Sequence, residues 1–264
     1  MGNISIDTIK TRNFEPGSKE AEVEKYCRKA ASEHTDGLIN LYNRLEGSWN
    51  GNYINSDLMK MVFPFYADSY ENRQLYNLAI SNSAATLTNE AYRRAICRED
   101  VKRCIFIAGP YGAGKSYFVQ SLFENNKAGL LEGSIVYEGS INPPYFAEKI
   151  EYALENGVIP SIIVLNPTLE LSMRNIRERA KKTGRDVIKD EVVDKFSNLH
   201  RYLSDIVETY DIAFTIYNKN SNITIDLNGG SEDLDSLYHG TSNEVSAEYD
   251  RINRILDSEL DIEI

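Results

Sequence analysis

Cysteine and histidine are scarce. The three cysteines, Cys27, Cys97 and Cys104, form no even framework and no CxxC pair, which argues against a disulfide scaffold and makes a reducing cytosol the expected setting. The three histidines, His34, His200 and His239, lie far apart, so a dedicated zinc site has little support. No apolar run approaches the ~20 residues of a membrane span. The first residues, Met1-Gly2-Asn3-Ile4-Ser5-Ile6, lack the basic and apolar runs of a secretory signal. They also miss the myristoylation pattern, because Ile stands at position 6 where Ser or Thr is required. No linker rich in Pro, Gly or Ser and no internal repeat divides the 264 residues. Positive charge is the other shortage. With 29 basic against 40 acidic residues the formal net charge is −11, which argues against duplex nucleic acid as a partner.

The apolar share of 42%, with 17 Tyr and 9 Phe, is enough to build a substantial core. Acid concentrates at the end: residues 231–264 hold ten Asp or Glu and two Arg. Val245, Tyr249, Ile252, Ile255 or Leu256, and Leu260 recur there at helical spacing, so an amphipathic helix is expected, packed on its own domain or docked to a basic partner.

Residues up to about Lys10 read as extended. Helical spacing at Val23, Tyr26 or Cys27, and Ala30 is followed by a second set at Leu38, Leu41 or Tyr42, and Leu45, with Gly37 expected to separate the two and Gly47 to close the second. Tyr53-Ile54 is a short apolar piece, and a helix is predicted from about Glu71 to Arg94. From residue 101 apolar strands alternate with amphipathic helices. The strands are RCIFIA (103–108), SIVY (134–137), SIIVL (161–165) and IAFTIY (212–217), with a further alternation at Ile223, Ile225 and Leu227. That alternation predicts an α/β fold: a parallel sheet of P-loop NTPase type with helices on both faces, plus a helical N-terminal elaboration. The expected division is a helical region 1–100, a core 101–230 and an acidic C-terminal helix 231–264.

Gly109-Pro110-Tyr111-Gly112-Ala113-Gly114-Lys115-Ser116 satisfies GxxxxGK[ST] in full, after a strand and before a helix. Glycines at this spacing let backbone N–H groups turn inward around phosphate oxygens, and the following helix adds its positive end. Lys115 is expected on the outer phosphates and Ser116 on Mg²⁺. The guanine-reading NKxD is absent, since Asn218-Lys219-Asn220 is followed by Ser221, and no strand ends in the Asp-Glu of an AAA-type ATPase. Glu138 ends a strand and points toward the ligand crevice of such sheets. Its alternative role is to satisfy the backbone of the turn through Gly139. Arg174, Arg177, Arg179, Lys181, Lys182 and Arg185 crowd one helix and its end. They are either a solvated face or the cationic lid that phosphoryl transfer needs.

With the P-loop, Ile135-Val136-Tyr137-Glu138-Gly139-Ser140, the lid Arg177 to Arg185, and Asp211-Ile212-Ala213-Phe214-Thr215-Ile216-Tyr217-Asn218-Lys219, the chain resembles the zeta-toxin family of P-loop kinases over roughly Lys102 to Asn228. The resemblance implies ATP and Mg²⁺ as cofactors, and phosphorylation of a small-molecule hydroxyl such as the sugar of UDP-N-acetylglucosamine. It also implies an antitoxin as a possible partner and Asn218 and Lys219 near adenine. A turn with Asn220 to Asn222 is the other role open to that last pair. The chain departs from the family pattern in one respect. Such kinases carry an acceptor-side Asp on a strand just after the P-loop helix, and here only about 18 residues separate Ser116 from the next strand. The segment Asn52-Tyr53-Ile54-Asn55-Ser56-Asp57-Leu58 resembles that element displaced upstream of the P-loop. It is expected to supply the missing strand or its spatial equivalent and to bring Asp57 to the acceptor as base, unless Asp57 merely caps a short helix from Leu58 to Val62. The catalytic set expected is therefore Lys115, Asp57, Glu138, Arg177, Arg179 and Arg185. Two rivals stay open: a nucleotide-binding interaction protein without transfer, and a kinase of polynucleotide ends.

Overall fold

The computed structural model describes residues 3–125, 131–139, 143–184, 187–219, 232–237 and 240–260. Five strands form one all-parallel sheet: β1 (Tyr53–Asn55), β2 (Arg103–Ala108), β3 (Ser134–Glu138), β4 (Ile159–Pro167) and β5 (Phe214–Lys219), in the spatial order β1-β3-β2-β4-β5. Helices α1 (Lys19–Glu33), α2 (Thr35–Arg44), α3 (Ser56–Met59), α4 (Pro64–Asp68) and α5 (Tyr70–Ile96) precede β2. Helices α6 (Lys115–Asn125), α7 (Pro143–Glu155), α8 (Leu169–Thr183), α9 (Lys189–Tyr210) and α10 (Ser242–Leu260) follow it. Among the described residues no helix is long and apolar enough to cross a membrane.

Alternation along each strand builds the two apolar layers. Cys104, Phe106 and Ala108 of β2 join Ile162 and Val164 of β4 under α5, α7 and α9, which contribute Tyr92 and Ile96, Phe146 and Ile150, and Leu199 and Leu203. Ile105 and Ile107 point the other way and meet Phe118, Val119 and Leu122 of α6. Both faces of β2 are thus covered, which is why it reads as an unbroken apolar run. The chain steps from β2 to β3 on one side and then crosses to β4 on the other, so the sheet has a switch point at the C-terminal end of β2.

The N-terminal helices bury a separate cluster that includes Ile9, Cys27, Ile39, Tyr42 and Phe63 against Ile80, Ala84 and Leu87 of α5. Because α5 belongs to this cluster through its middle and to the sheet through Tyr92, Ala95 and Ile96, it joins the two regions. The edge strand also comes from the N-terminal region: β1 pairs parallel with β3 in the register Tyr53↔Val136, Ile54↔Tyr137 and Asn55↔Glu138. Tyr42 secures that edge. Its hydroxyl donates to the Tyr53 carbonyl at 2.7 Å and accepts from the Asn55 N–H at 3.0 Å. The turn into β1 runs through three left-handed residues, Trp49, Asn50 and Gly51, and is held by Trp49 stacked on Phe123 at 4.3 Å.

Several boundaries differ from expectation. Gly37 lies inside the first turn of α2, and the break falls at His34, where buried Thr35 turns its hydroxyl back to the Ala31 carbonyl. The last strand starts at Phe214 and runs on to Lys219, so Asn218 and Lys219 belong to the strand, paired with Asn166 and Pro167 of β4. The alternation at Ile223, Ile225 and Leu227 lies outside the described residues. The acidic C-terminal helix packs on its own chain, with Val245 against Val192 and Phe196 of α9 and with Ile252 and Leu256 on Met173 of α8.

Candidate active site

The loop Gly109–Ser116 joins β2 to α6 and is wedged between β4 and α8. Gly109 takes φ +143° and a Cβ there would meet the Leu165 carbonyl at 2.4 Å; Gly112 takes φ +73° and a Cβ there would meet the Ser172 carbonyl at 2.3 Å. Only glycine allows both the conformation and the approach. Asn175 of α8 locks the contact, donating from Nδ2 to the Gly112 carbonyl at 2.8 Å.

Lys115 begins α6 and turns its ammonium onto the Gly109 and Pro110 carbonyls, each at 2.9 Å. Burial lowers its pKa, and the nearby Arg179 adds to that, while Glu138 opposes it. Tyr111, Gly112, Ala113, Gly114, Lys115 and Ser116 line a cavity of about 970 Å³, within the range of small-molecule sites.

Glu138 closes β3 beside this loop. Ser116 Oγ donates to its Oε1 at 3.1 Å, and the Tyr53 hydroxyl donates to its Oε2. Burial pushes its pKa up; the Lys115 ammonium and the hydrogen bonds from Tyr53 and Ser116 pull it down, while Asp57 adds to the rise. The Gly139 N–H donates to the Ile107 carbonyl at 3.2 Å, and residues 140–142 lie outside those described. A serine hydroxyl that donates to a carboxylate keeps its lone pairs for a cation. Mg²⁺ characteristically takes one or two protein oxygens and completes its shell with water and phosphate. Among the described residues no cluster of three His, Cys, Asp or Glu suited to a metal occurs. The loop and the Ser116–Glu138 pair therefore fit a Mg²⁺-bound polyphosphate.

Asp57 lies in the first turn of α3, directly after β1, and lines the same cavity. The cap of that helix is Asn55, whose Oδ1 accepts from the Asp57 and Leu58 N–H groups at 2.8 and 2.9 Å. Asp57 is therefore not the cap. Its carboxylate is 3.2 Å from the Lys60 ammonium, which also donates to Asn77 Oδ1 at 2.7 Å.

Helix α8 splits the expected arginine set by its phase. Asn175 and Arg179, four residues apart, share a face and line the cavity. Arg177 does not. It donates to Asn253 Oδ1 at 2.8 Å and to Asp257 Oδ1 at 2.7 Å, and so ties α8 to α10. Its expected catalytic role is corrected to an interhelical one. Arg174 pairs with Glu170 on its own helix, and Arg185 lies outside the described residues. The strand end is divided in the same way. Asn218 is exposed and accepts from Asn166 Nδ2 at 2.6 Å, away from the cavity, whereas Lys219 is buried and lines it.

The far wall of the cavity was not anticipated. It consists of Gln74, Asn77 and Ser81 of α5, with Arg12 and Lys60 nearby. Asn77 Oδ1 accepts from Lys60 and, at 3.2 Å, from the Tyr66 hydroxyl, so its two NH₂ hydrogens are the groups left for a ligand. The spacing of Gln74, Asn77 and Ser81 on one face of α5 is the signal that sequence reasoning could have used. No protein-family profile matches this chain, and no curated protein matches it.

Proposed function

We propose that this protein is an ATP-dependent, Mg²⁺-requiring kinase that transfers a phosphoryl group to the hydroxyl of a small polar molecule, in the manner of the zeta-toxin kinases it resembles. One observation carries the reading. A phosphate loop with its lysine, a hydroxyl–carboxylate pair suited to Mg²⁺ and a separate carboxylate, Asp57, all open into one cavity whose opposite wall is polar. A nucleotide-binding interaction module needs the first two features and has no use for the third.

In this reading the loop amides and Lys115 hold the phosphates, and Ser116 with Glu138 holds the metal, which neutralises charge on the phosphoryl oxygens. Asp57, oriented by Lys60, accepts the proton of the acceptor hydroxyl. Arg179 faces the charge that spreads over the transferred group. Asn77, Gln74 and Ser81 supply the donors and acceptors that a polyhydroxylated acceptor requires. A nucleotide sugar such as UDP-N-acetylglucosamine is the acceptor class first to be tried, and an antitoxin is the partner first to be sought. The test is incubation of the pure protein with γ-labelled ATP, Mg²⁺ and a metabolite extract. A labelled product from wild type and none from Lys115→Ala is the expected result; label that stays in ATP with both proteins refutes the proposal. Transfer to oligonucleotide 5′ ends would instead favour the polynucleotide alternative.

A further inference from the structure

Three lysines are buried among the described residues, namely Lys60, Lys149 and Lys219. Two have evident partners: Lys60 has Asp57 and Asn77, and Lys149 donates to the Tyr145 carbonyl at 3.2 Å. Lys219 is 6% exposed, and among the described residues nothing accepts a hydrogen bond from its Nζ and no carboxylate pairs with it. Burial is the one influence on its ammonium, and it lowers the pKa. The residue as a whole is covered, but its ammonium faces the cavity that Lys219 lines, where an anion could pair with it.

Its position shows where compensation would come from. The backbone of Lys219 is fixed at the end of β5, where its carbonyl accepts from the Thr168 N–H at 3.1 Å. Its Nζ lies 3.0 Å from the point that a Cβ on Gly114 would occupy, at the mouth of the phosphate loop. Gly114, at φ +79°, thus leaves the room in which the ammonium sits. In the sheet order, β5 is on the side of β2 opposite to β3 and Glu138. The ammonium thus reaches the loop from the β5 side, while Glu138 flanks it from the β3 side.

We infer that Lys219 is a second phosphate-binding lysine, serving the inner phosphates of a nucleoside di- or triphosphate where the resemblance implied an adenine contact. The inference rests on the kinase reading for the nucleotide, while the anion role is testable without it. The experiment is calorimetric titration of the full chain and of Lys219→Met and Lys219→Arg with ADP, ATP, adenosine and inorganic pyrophosphate, together with thermal unfolding of the unliganded proteins. Lys219→Met is expected to weaken ADP, ATP and pyrophosphate alike, by about tenfold or more, as loss of a charge-assisted bond should. Adenosine binding is expected to be unchanged, Lys219→Arg to keep part of the affinity, and the unliganded Lys219→Met melting temperature not to fall. Unchanged ADP and pyrophosphate affinity overturns the inference, as does an equal loss for adenosine, which would mark a base contact. A lowered melting temperature with full affinity overturns it too and marks a structural lysine. If wild type binds pyrophosphate but no nucleotide, the kinase reading fails, and the effect of Lys219→Met on pyrophosphate still decides the role of this residue. Should wild type bind neither, both are refuted.

Discussion

Tyr53→Phe removes one atom from the candidate site and leaves the ring against Trp49, whose centroid is 6.0 Å away. What is lost is the hydroxyl donated to Glu138 Oε2. A hydrogen bond to a charged, buried acceptor is worth about 1.5–3 kcal/mol. Without that donor the charged form of Glu138 loses support, so its titration should move to higher pH. The direction is set by the surroundings of the group. Burial already holds the carboxyl above its ordinary range, and Tyr53 is one of the groups that restrain it, with Lys115 and Ser116. A carboxyl raised on folding contributes stability that is complete below its unfolded pKa and is lost as pH rises through the folded value. The Tyr53→Phe variant should therefore be close to wild type in stability in acid and fall behind by about 1.5–3 kcal/mol once Glu138 is ionised. Two measurements check this: denaturant unfolding between pH 5 and pH 9, and Mg²⁺-dependent ATP affinity over the same range. The acid limb of the affinity profile should shift to higher pH. A limb that coincides with that of wild type, together with a stability difference independent of pH, would refute the coupling of β1 to Glu138.

Tyr42→Phe strips the edge strand of its cover and leaves the Tyr53 carbonyl and the Asn55 N–H buried without a partner; at about 1–3 kcal/mol each, a loss of at least about 2 kcal/mol is expected by denaturant unfolding. A change below about 0.5 kcal/mol would mean that water takes over the role of the hydroxyl. Asp57→Asn should abolish phosphoryl transfer while ATP affinity by calorimetry stays within about threefold; loss of ATP binding would assign Asp57 to structure instead. Arg179→Met should lower turnover by about a hundredfold or more, as removal of a transition-state cation does. Arg177→Met should leave turnover within about threefold and instead loosen α10, seen as faster amide exchange along that helix. If Arg177→Met matched Arg179→Met in lost turnover, the assignment of the two faces of α8 would be wrong.

Local chemistry was readable from the chain alone. The glycine-rich loop is one contiguous segment marked by its GxxxxGK[ST] spacing, and the strands of the core carry their burial in unbroken apolar runs, so both α/β class and loop position followed from residue order. Three-dimensional packing decided the rest. A three-residue edge strand has no periodicity to detect; the likeness of Asn52–Leu58 to a displaced family segment led to its expectation, and β1 holds its place because Tyr42 and β3 satisfy its backbone groups. Arg177 and Arg179 are chemically equivalent in sequence, but at about 100° per residue they diverge by about 200° around α8, and only the neighbour on each side tells which meets the cavity. Asn218 and Lys219 alternate across a strand in the same way, and the reach of the lysine to Gly114 depends on a sheet order that sequence does not state. Residue type sets what a side chain can do, while the phase of its helix or strand and the identity of the adjoining element set what it meets.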